Sequence, residues 1–295
     1  MDTTPRPEPS SQVLEIIAPV VERTPVVFAS PHSGTSYPQD FLDAAALDPL
    51  SLRRSEDSFV DELFCAAPRH GAPLLRALFP RAYLDVNREA WEMDPDMFDG
   101  PLPAYVNIDS VRVSAGLGTI ARVVATGAEI YRRKLSFDEA EQRVRRLYHP
   151  YHAALRRLIG ETVSMFGGCL LIDCHSMPSI GTPIEADAGA ARVDFVLGDC
   201  FGTSCAPFIT RTVEHTLRRQ GHRVVRNTPY AGGYTTRHYG NPAKGVHVLQ
   251  IEINRRLYMD EQSHIRLQPA FDLLQHDLGL LIAALTAIPA MDLTP

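Results

Sequence analysis

The sequence has no long hydrophobic run and no cluster of basic residues, and both absences exclude classes of function. None of its 295 residues belongs to a stretch of the roughly eighteen consecutive apolar residues that a membrane-spanning helix needs. The opening residues, MDTTPRPEPS, lack the basic start and apolar core of a signal peptide. The formal net charge is −6, which argues against nucleic acid as a partner. We therefore expect no membrane partner, no nucleic-acid partner, and a small anionic ligand held by individual arginines.

Cysteine is scarce, and its pattern does not suggest a disulfide framework or a zinc knuckle. The five cysteines are an odd number, and Cys169/Cys174 and Cys200/Cys205 are each spaced by five. This spacing is wider than the roughly two to four residues of zinc knuckles. We expect reduced cysteines in a cytoplasmic protein.

Several catalytic motifs are also missing. No serine lies in a G-x-S-x-G sequence, which disfavours a serine-nucleophile elbow, and no H-E-x-x-H pair is present. GLGTIA, residues 116–121, matches a dinucleotide fingerprint, but no strand–turn–helix unit starts there and the match is weak alone.

Short apolar runs alternate with segments of helical periodicity along the chain. The runs typical of buried strands are residues 25–30, 82–87, 168–175, 193–199, 222–227 and 247–254. The helical segments are residues 57–67, 136–167, 206–221 and 265–288. In the second of these, Ser136 and Glu139 form a capping box, and we expect Pro150 to kink or divide the helix. The alternation predicts an α/β fold with a mixed, largely parallel central sheet flanked by helices on both faces.

The organisation of the chain favours one large domain. Residues 1–18 are polar and proline-rich at their start, and we expect a disordered or loosely packed segment there. Residues 19–295 contain neither an internal repeat nor a linker that would divide them, so we predict a single catalytic domain. Within it, residues 90–130 interrupt the regular alternation, and we expect a long insertion near a functional site.

Polar residues end several of the predicted strands, at the edge where α/β sheets collect ligands. They are His32, Asn87, Arg88, His175 and Glu252. Each histidine alone would more often be a hydrogen-bonded structural group, but their combination with an acid and an arginine indicates one site. Neutral imidazole is a good zinc ligand, and a catalytic zinc needs three protein ligands and an open position.

The third ligand is expected to be an acid. The segment RSEDSFVDELF supplies Glu56 and Asp57 at a predicted helix start, with Asp61 a further candidate. Asp57 could instead simply cap that helix. Asp173, two residues before His175 on the same strand, could orient the histidine.

Glu252 lies within the apolar run HVLQIEIN. A carboxyl group inside such a run is costly unless it is paired, or useful as a base with a raised pKa. The alternative is a structural salt bridge to Arg255 or Arg256.

A second long loop, NTPYAGGYTTRHYGNPAKG at residues 227–245, has four glycines, two prolines and three tyrosines. This composition is typical of a binding loop that carries hydrogen-bond donors. We predict Tyr234, Arg237 and His238 as substrate-binding residues of this loop.

Five blocks of the sequence together resemble the N-formylglutamate amidohydrolase family. They are SPHSGTSYP, EDSFVDELF, PRAYLDVNRE, LIDCHSMPS and GGYTTRHYGNPAKGVHVLQIEIN, and the resemblance covers roughly residues 20–260. It implies a fold similar to those of zinc carboxypeptidases and aspartoacylases, of the phosphorylase/hydrolase-like type. It also implies hydrolysis of the amide bond of N-formyl-L-glutamate at the end of histidine degradation, with other N-acyl amino acids or short peptides as the alternative substrates. A metal-free anion-binding protein on the same scaffold is the alternative of a different class.

The resemblance further implies roles for individual residues. One zinc ion per chain would be held by His32, His175 and an acid, with Asp57 aligning better than Glu56. Asn87 and Arg88 look like the pair with which the family's relatives grip a substrate carboxylate. Glu252 is placed like their general base, and Arg237 would be a second carboxylate or oxyanion partner with a catalytic role.

Overall fold

The central sheet explains where the polar residues of the site meet. The structure is a computed structural model that describes residues 12–183 and 185–295. Within these residues, seven strands form the sheet. They are β1 (Leu14–Ile17), β2 (Val26–Ser30), β3 (Leu74–Ala77), β4 (Cys169–Met177), β5 (Phe195–Gly198), β6 (Val224–Arg226) and β7 (Val246–Asn254). A separate hairpin pairs β8 (Met259–Asp260) with β9 (Ile265–Arg266).

The strands lie in the order β1-β3-β2-β4-β7-β5-β6. Among these strands, four of the six neighbouring pairs are parallel, and only β1/β3 and β5/β7 are antiparallel. The prediction of a mixed, largely parallel sheet is therefore confirmed. β4 is buried along its whole length, as expected for a central strand covered on both faces.

Helices cover both faces of the sheet, as predicted. They are α1 (Gln39–Ala44), α2 (Pro49–Leu52), α3 (Val60–Leu63), α4 (Val111–Ser114), α5 (Phe137–Arg143), α6 (His149–Phe166), α7 (Pro207–Arg219), α8 (Tyr234–Tyr239) and α9 (Ala270–Thr286). Because side chains alternate along a strand, Val27 packs in the apolar cluster on the α6 face, whereas Phe28 packs in the cluster with α7 and α9. None of the helices in the described ranges has both the length and the apolar character to cross a bilayer.

The long helical segment follows its sequence signals. Ser136 and Glu139 form the predicted capping box at the start of α5. A π-helical turn, Val144–Tyr148, joins α5 to α6, and Pro150 lies in the first turn of α6. Proline has no N–H to donate to the preceding turn, so the regular α-helical pattern is interrupted just before it.

The sheet extends further towards the N-terminus than the sequence indicated. Residues 1–18 were expected to be loosely packed, but β1 pairs antiparallel with β3 along four residues, Leu14 to Ile17. A strand added here covers backbone groups that β3 would otherwise expose at the sheet edge. Residues 1–11 lie outside the described part of the chain. The strand β3 itself was not predicted, because LLRA is too short to show a period.

Two predicted elements have another structure. Residues 82–87 form turns instead of a strand, because Tyr83 N and Leu84 N both donate to Pro80 O and Asn87 N donates to the Asp85 side chain. The helix predicted at 57–67 is only the single turn α3, which starts after Phe59 in a left-handed conformation and is followed by a 3₁₀ turn, Ala67–His70.

Candidate metal centre and substrate cavity

Two histidines and an aspartate meet beside the carboxyl ends of β2 and β4. His32 follows β2 by two residues, and His175 lies near the end of β4. The two strands are parallel neighbours, so their ends lie at the same edge of the sheet. Asp57 lies just before α3, and its backbone N–H donates to His32 O at 3.0 Å. This main-chain bond brings the carboxyl group to the histidines.

The three side chains present one donor atom each to a common point. His32 Nδ1 and His175 Nδ1 are 3.2 Å apart, and Asp57 Oδ2 lies 3.4 Å from the first and 3.1 Å from the second. Around a tetrahedral zinc with ligand distances of roughly 2.0–2.1 Å, neighbouring ligand atoms would be about 3.3 Å apart. All three residues are buried. They form a group that could hold a metal ion, and the donor spacing fits one face of a tetrahedral site.

Further polar groups orient these donors. Asp85 Oδ1 lies 2.8 Å from His32 Nε2. The positive charges of Arg81 and Arg88 outweigh burial and hold the pKa of Asp85 well below its usual range. An ionised Asp85 carboxylate accepts a hydrogen bond from His32 Nε2–H. The proton of the neutral ring is then on Nε2, so the lone pair of Nδ1 is directed at the common point. Such carboxylate–histidine pairs are typical of metal-binding histidines.

His175 has different neighbours behind its ring. Its Nε2 lies 3.1 Å from Asp173 Oδ2, at ion-pair distance, and 3.2 Å from Asn87 Nδ2. Neither Asp173 oxygen is hydrogen-bonded within the described part of the chain, so the orienting role of Asp173 stays a prediction. Asp57 Oδ1, the oxygen that faces away from the histidines, accepts hydrogen bonds from Ser176 Oγ and Arg255 Nη2, each at 3.1 Å.

The structure also distinguishes the two neighbouring acids. The Glu56 carboxylate is bound by Arg53, Tyr37 and Ser58, so Asp57 is the acid that faces the histidines. Asp61 pairs instead with Arg76 at 2.6 Å.

Glu252 lies beside the triad on the adjacent strand. β7 pairs in parallel with β4, and Glu252 is in register with His175. Gln250 Nε2 donates to Glu252 Oε1 at 2.7 Å. Burial raises the pKa of Glu252 to about 7, although the nearby His175 acts in the opposite direction. The alternative salt bridge is not formed, because Arg255 binds Asp57 and Arg256 binds Asp194.

A cavity of about 320 Å³ opens above these residues. His175 and Glu252 reach its surface, while His32 and Asp57 lie behind. The side chains of four arginines line it, namely Arg81, Arg88, Arg112 and Arg255. The predicted insertion, residues 90–130, lies next to the site as expected. It contributes Arg112, Leu117, Gly118, Ala121 and Ala125 to the lining.

Asn87 and Arg88 both line the cavity, in different surroundings. Asn87 Oδ1 accepts from Thr235 N at 2.8 Å, and a Cβ on Gly233 would come within 2.2 Å of the Asn87 amide, so this approach requires glycine. Arg88 is buried, with Nε donating to Leu117 O at 2.8 Å and Nη1 to Asn87 O at 2.9 Å. Burial lowers the pKa of Arg88 to about 10, against the attraction of Asp85.

The tyrosine-rich loop is only partly at the cavity. Its first half lines the cavity with residues 229–233. Tyr234 and His238 do not belong to the lining within the described chain, and their rings stack 4.7 Å apart in an aromatic cluster with His152. Arg237 is exposed on α8, and its Nη1 donates to Gly232 O at 2.8 Å. These three residues therefore lie at the rim or behind it, because α8 directs them away from the cavity.

Sequence reasoning missed several cavity residues. Arg81 precedes the Asn–Arg pair in the PRAYLDVNRE block, and this nearness was a usable signal. Arg112 lies in the irregular insertion, where no periodicity indicates a direction for any side chain. Tyr230 and Glu185 also line the cavity and are hydrogen-bonded to each other.

Comparison with known proteins gives a consistent result. Residues 24–259 match the family model described as N-formylglutamate amidohydrolase. The chain is 30% identical over 242 residues to the N-formylglutamate deformylase of Pseudomonas putida, covering 81% of this chain and 83% of that protein. It is also 30% identical over 245 residues to the N-formylglutamate deformylase of Pseudomonas aeruginosa, covering 82% and 84%.

Solved structures agree with the family match. The crystal structure of N-formylglutamate amidohydrolase from Ralstonia eutropha JMP134 superposes with a TM-score of 0.85 at 40% identity, covering 93% of this chain and 97% of that one. A gene product from Agrobacterium tumefaciens, at 19% identity and a TM-score of 0.63 over 94% and 96% of the chains, shares the fold. The matched segment includes the triad, Glu252 and the lining arginines, and the chain belongs to the N-formylglutamate amidohydrolase family.

Proposed function

We propose that this protein is a zinc-dependent enzyme that hydrolyses N-formyl-L-glutamate to formate and L-glutamate. The observation that carries the proposal is the convergence of three buried donor atoms, 3.1–3.4 Å apart, next to Glu252 at the floor of an arginine-lined cavity. The names of the relatives support the substrate. A role in histidine degradation and a cytoplasmic location remain predictions.

His32, Asp57 and His175 would hold the metal. Two imidazole nitrogens and a carboxylate oxygen suit zinc, and three protein ligands leave one position open. When bound, zinc supplies Lewis acidity that activates water and polarises a carbonyl group. Asp85 would hold the His32 imidazole through a hydrogen bond, and the Asp173 carboxyl group lies within ion-pair distance of His175.

Glu252 is the general base in this proposal. It removes a proton from the water that attacks the formyl carbon, and it delivers a proton to the glutamate nitrogen as the C–N bond breaks. The carboxyl group can do both because burial brings its pKa to about 7, close to the pH at which it must accept and release the proton.

The arginines provide recognition. We propose that Arg88 binds a substrate carboxylate with two parallel hydrogen bonds, a geometry that lysine cannot reproduce, while Asn87 supports it beside His175. Arg237 lies at the rim, so its role would be attraction of the anionic substrate rather than contact with the reacting atoms. Tyr234 and His238 would act indirectly, by packing α8 against α6.

A substrate panel tests this function. Formate release from N-formyl-L-glutamate is measured beside acyl release from N-acetyl- and N-succinyl-L-glutamate, with the zinc content of the same preparation. We expect the formyl compound to be the preferred substrate and about one zinc per chain. A preference for a larger acyl group would redirect the proposal to another N-acyl amino acid. Binding without turnover, in a protein free of zinc after growth with zinc, would favour the anion-binding alternative.

A further inference from the structure

Arg112 faces the cavity from the insertion with little compensation of its charge. Among the described residues, the carboxylate oxygen within ion-pair distance of it is Glu92 Oε2, 4.0 Å from Nη1. Ser110 Oγ already donates to the other Glu92 oxygen. The Arg112 side chain is 31% exposed, and burial together with the nearby Arg237 lowers its pKa. An anionic group arriving in the cavity would therefore find a guanidinium that is free to bind it.

The other arginines of the cavity are more fully occupied. Arg255 Nη2 lies 3.1 Å from Asp57 Oδ1, and Arg81 Nε lies 2.9 Å from Asp85 Oδ2. Arg88 Nη2 is 3.5 Å from that same Asp85 oxygen. One carboxylate thus serves two arginines, so Arg88 retains part of its charge for a ligand. Among the described residues of the lining, Arg88 and Arg112 are therefore the two cations whose charge is only partly balanced by a carboxylate.

The backbone of Leu117 connects these two arginines. Leu117 N donates to Arg112 O at 2.8 Å, and Leu117 O accepts from Arg88 Nε at 2.8 Å. Leu117 also lines the cavity. Leu117 therefore links the main chain of Arg112 to the guanidinium group of Arg88 on the same side of the cavity.

We propose that Arg112 is a specificity-determining residue that binds the side-chain carboxylate of the substrate, while Arg88 binds its α-carboxylate. This inference rests on the proposed function and adds the location of the second carboxylate, for which the sequence had suggested Arg237. It predicts a preference for N-formyl amino acids with an anionic side chain.

The contacts of Arg88 and Arg112 indicate which of them binds the α-carboxylate and which binds the side-chain carboxylate. Arg88 is linked through Asp85 to His32, since Asp85 lies 3.5 Å from Arg88 and 2.8 Å from the histidine. The α-carboxylate and the nitrogen of the bond to be cleaved are attached to the same carbon, so the α-carboxylate must bind near the triad. The side-chain carboxylate of glutamate lies two methylene groups further on, towards the insertion and Arg112.

Paired substrates test the assignment. N-formyl-L-glutamine differs from N-formyl-L-glutamate only in the charge of the side-chain group. For Arg112→Gln we expect kcat/KM on the glutamate compound to fall about 100-fold or more, the value of a lost charge-assisted pair. On the glutamine compound we expect a change below about threefold, because that substrate makes no such pair. Arg88→Lys should instead reduce kcat/KM for both substrates.

Arg122→Gln is the matched control. Arg122 lies in the same insertion with 32% of its side chain exposed, and it pairs with Asp94 outside the cavity. We expect it to change kcat/KM for both substrates by less than about twofold, because this ion pair lies outside the cavity and touches no reacting group. Retained activity of Arg112→Gln on the glutamine compound shows that the variant is folded. If that variant does not fold, Arg112→Lys, which keeps the charge but not the paired geometry, should show an intermediate loss on the glutamate compound alone.

Two results would overturn the assignment. An equal loss on both substrates would make Arg112 a positioning residue or an α-carboxylate ligand, and no loss would remove it from recognition. The failure of the proposed function looks different, because the wild-type protein would then release formate from neither compound. In that case the increase in melting temperature caused by each compound tests the assignment of Arg112. The wild type should be stabilised more by N-formyl-L-glutamate, whereas Arg112→Gln should be stabilised equally by both compounds.

Discussion

The two sides of the cavity are built in opposite ways. The sheet side consists of His175 and Glu252, with His32 and Asp57 behind them, and the insertion side consists of Arg112, Leu117, Gly118, Ala121 and Ala125. On the sheet side every polar group is at most 7% exposed and has a close partner. On the insertion side Arg112 is 31% exposed, and its carboxylate neighbour is 4.0 Å away.

This difference matches the two tasks of an amidohydrolase. Bond cleavage needs donors fixed within a fraction of an ångström, which strand ends and buried partners provide. Recognition of a particular side chain needs a group that can accept a new partner when the substrate arrives, and loops on a rigid scaffold supply such groups. The comparison predicts that changes on the sheet side abolish the chemistry, whereas changes on the insertion side redirect it.

The largest effect is expected for the acid of the triad. Asp57→Asn should remove bound zinc and reduce kcat by at least about 10⁴-fold, since metal catalysis contributes several kcal/mol to the barrier. Glu56→Gln is the matched variant, because Glu56 is the adjacent acid and is also buried. It should retain about one zinc per chain. Metal analysis of both proteins checks this, and the reverse pattern would show that Glu56 is the ligand.

A smaller loss is expected for Glu252→Gln. Removal of the proposed general base should lower kcat about 100- to 10,000-fold, while the zinc content stays as in the wild type. Asp94→Asn removes a carboxylate of the insertion that is 6% exposed, against 7% for Glu252. We expect its kcat to change less than about threefold, because Asp94 pairs with Arg122 outside the cavity. Comparable losses in the two variants would contradict the division between the sides.

The smallest expected effect is on stability, and it concerns His152, a buried histidine of α6. His152 Nε2 lies 2.9 Å from Val86 O, and burial lowers the pKa of the ring to about 4. The unfolded chain binds this proton near the ordinary pKa of about 6.5, so the folded protein loses stability as the pH falls from that value towards 4. The slope from one group is at most about 1.4 kcal/mol per pH unit.

Urea unfolding of the wild type and His152→Gln at pH 6.5 and pH 5 measures this contribution. The glutamine amide keeps a donor and an acceptor but does not titrate in this range. The free energy of unfolding of the variant should therefore fall less between the two pH values. Equal falls in both proteins would mean that His152 does not remain neutral when the chain folds.

The sheet side could be predicted from the sequence for a simple physical reason. A parallel sheet collects the carboxyl ends of its strands at one edge, so His32, His175 and Glu252 could be grouped from the strand pattern alone. Asp57 was distinguished from Glu56 only through the family resemblance, since both acids lie at the same turn.

The insertion side could not be predicted at the same level. Residues 90–130 were expected near the site, but without regular structure the sequence does not determine which side chains face the cavity. The sequence pointed to Arg237 as a second carboxylate partner, whereas the proposed assignment gives that role to Arg112. Composition marked the tyrosine-rich loop as a binding loop, yet Arg237 is exposed on α8, whereas Leu117 links the main chain of Arg112 to Arg88.

The main-chain bridge at Leu117 has a consequence for how selectivity could change during evolution. Its two hydrogen bonds use peptide N–H and C=O groups, which every residue except proline supplies in full. Replacing the side chain at this position would leave both main-chain hydrogen bonds in place. On the proposed assignment, a residue gained or lost between positions 112 and 117 would move the main chain of Arg112 relative to Arg88 and so suit a diacid of another length. Relatives that act on shorter or longer diacids should therefore differ from this chain in the length of this short segment rather than by point substitutions in it.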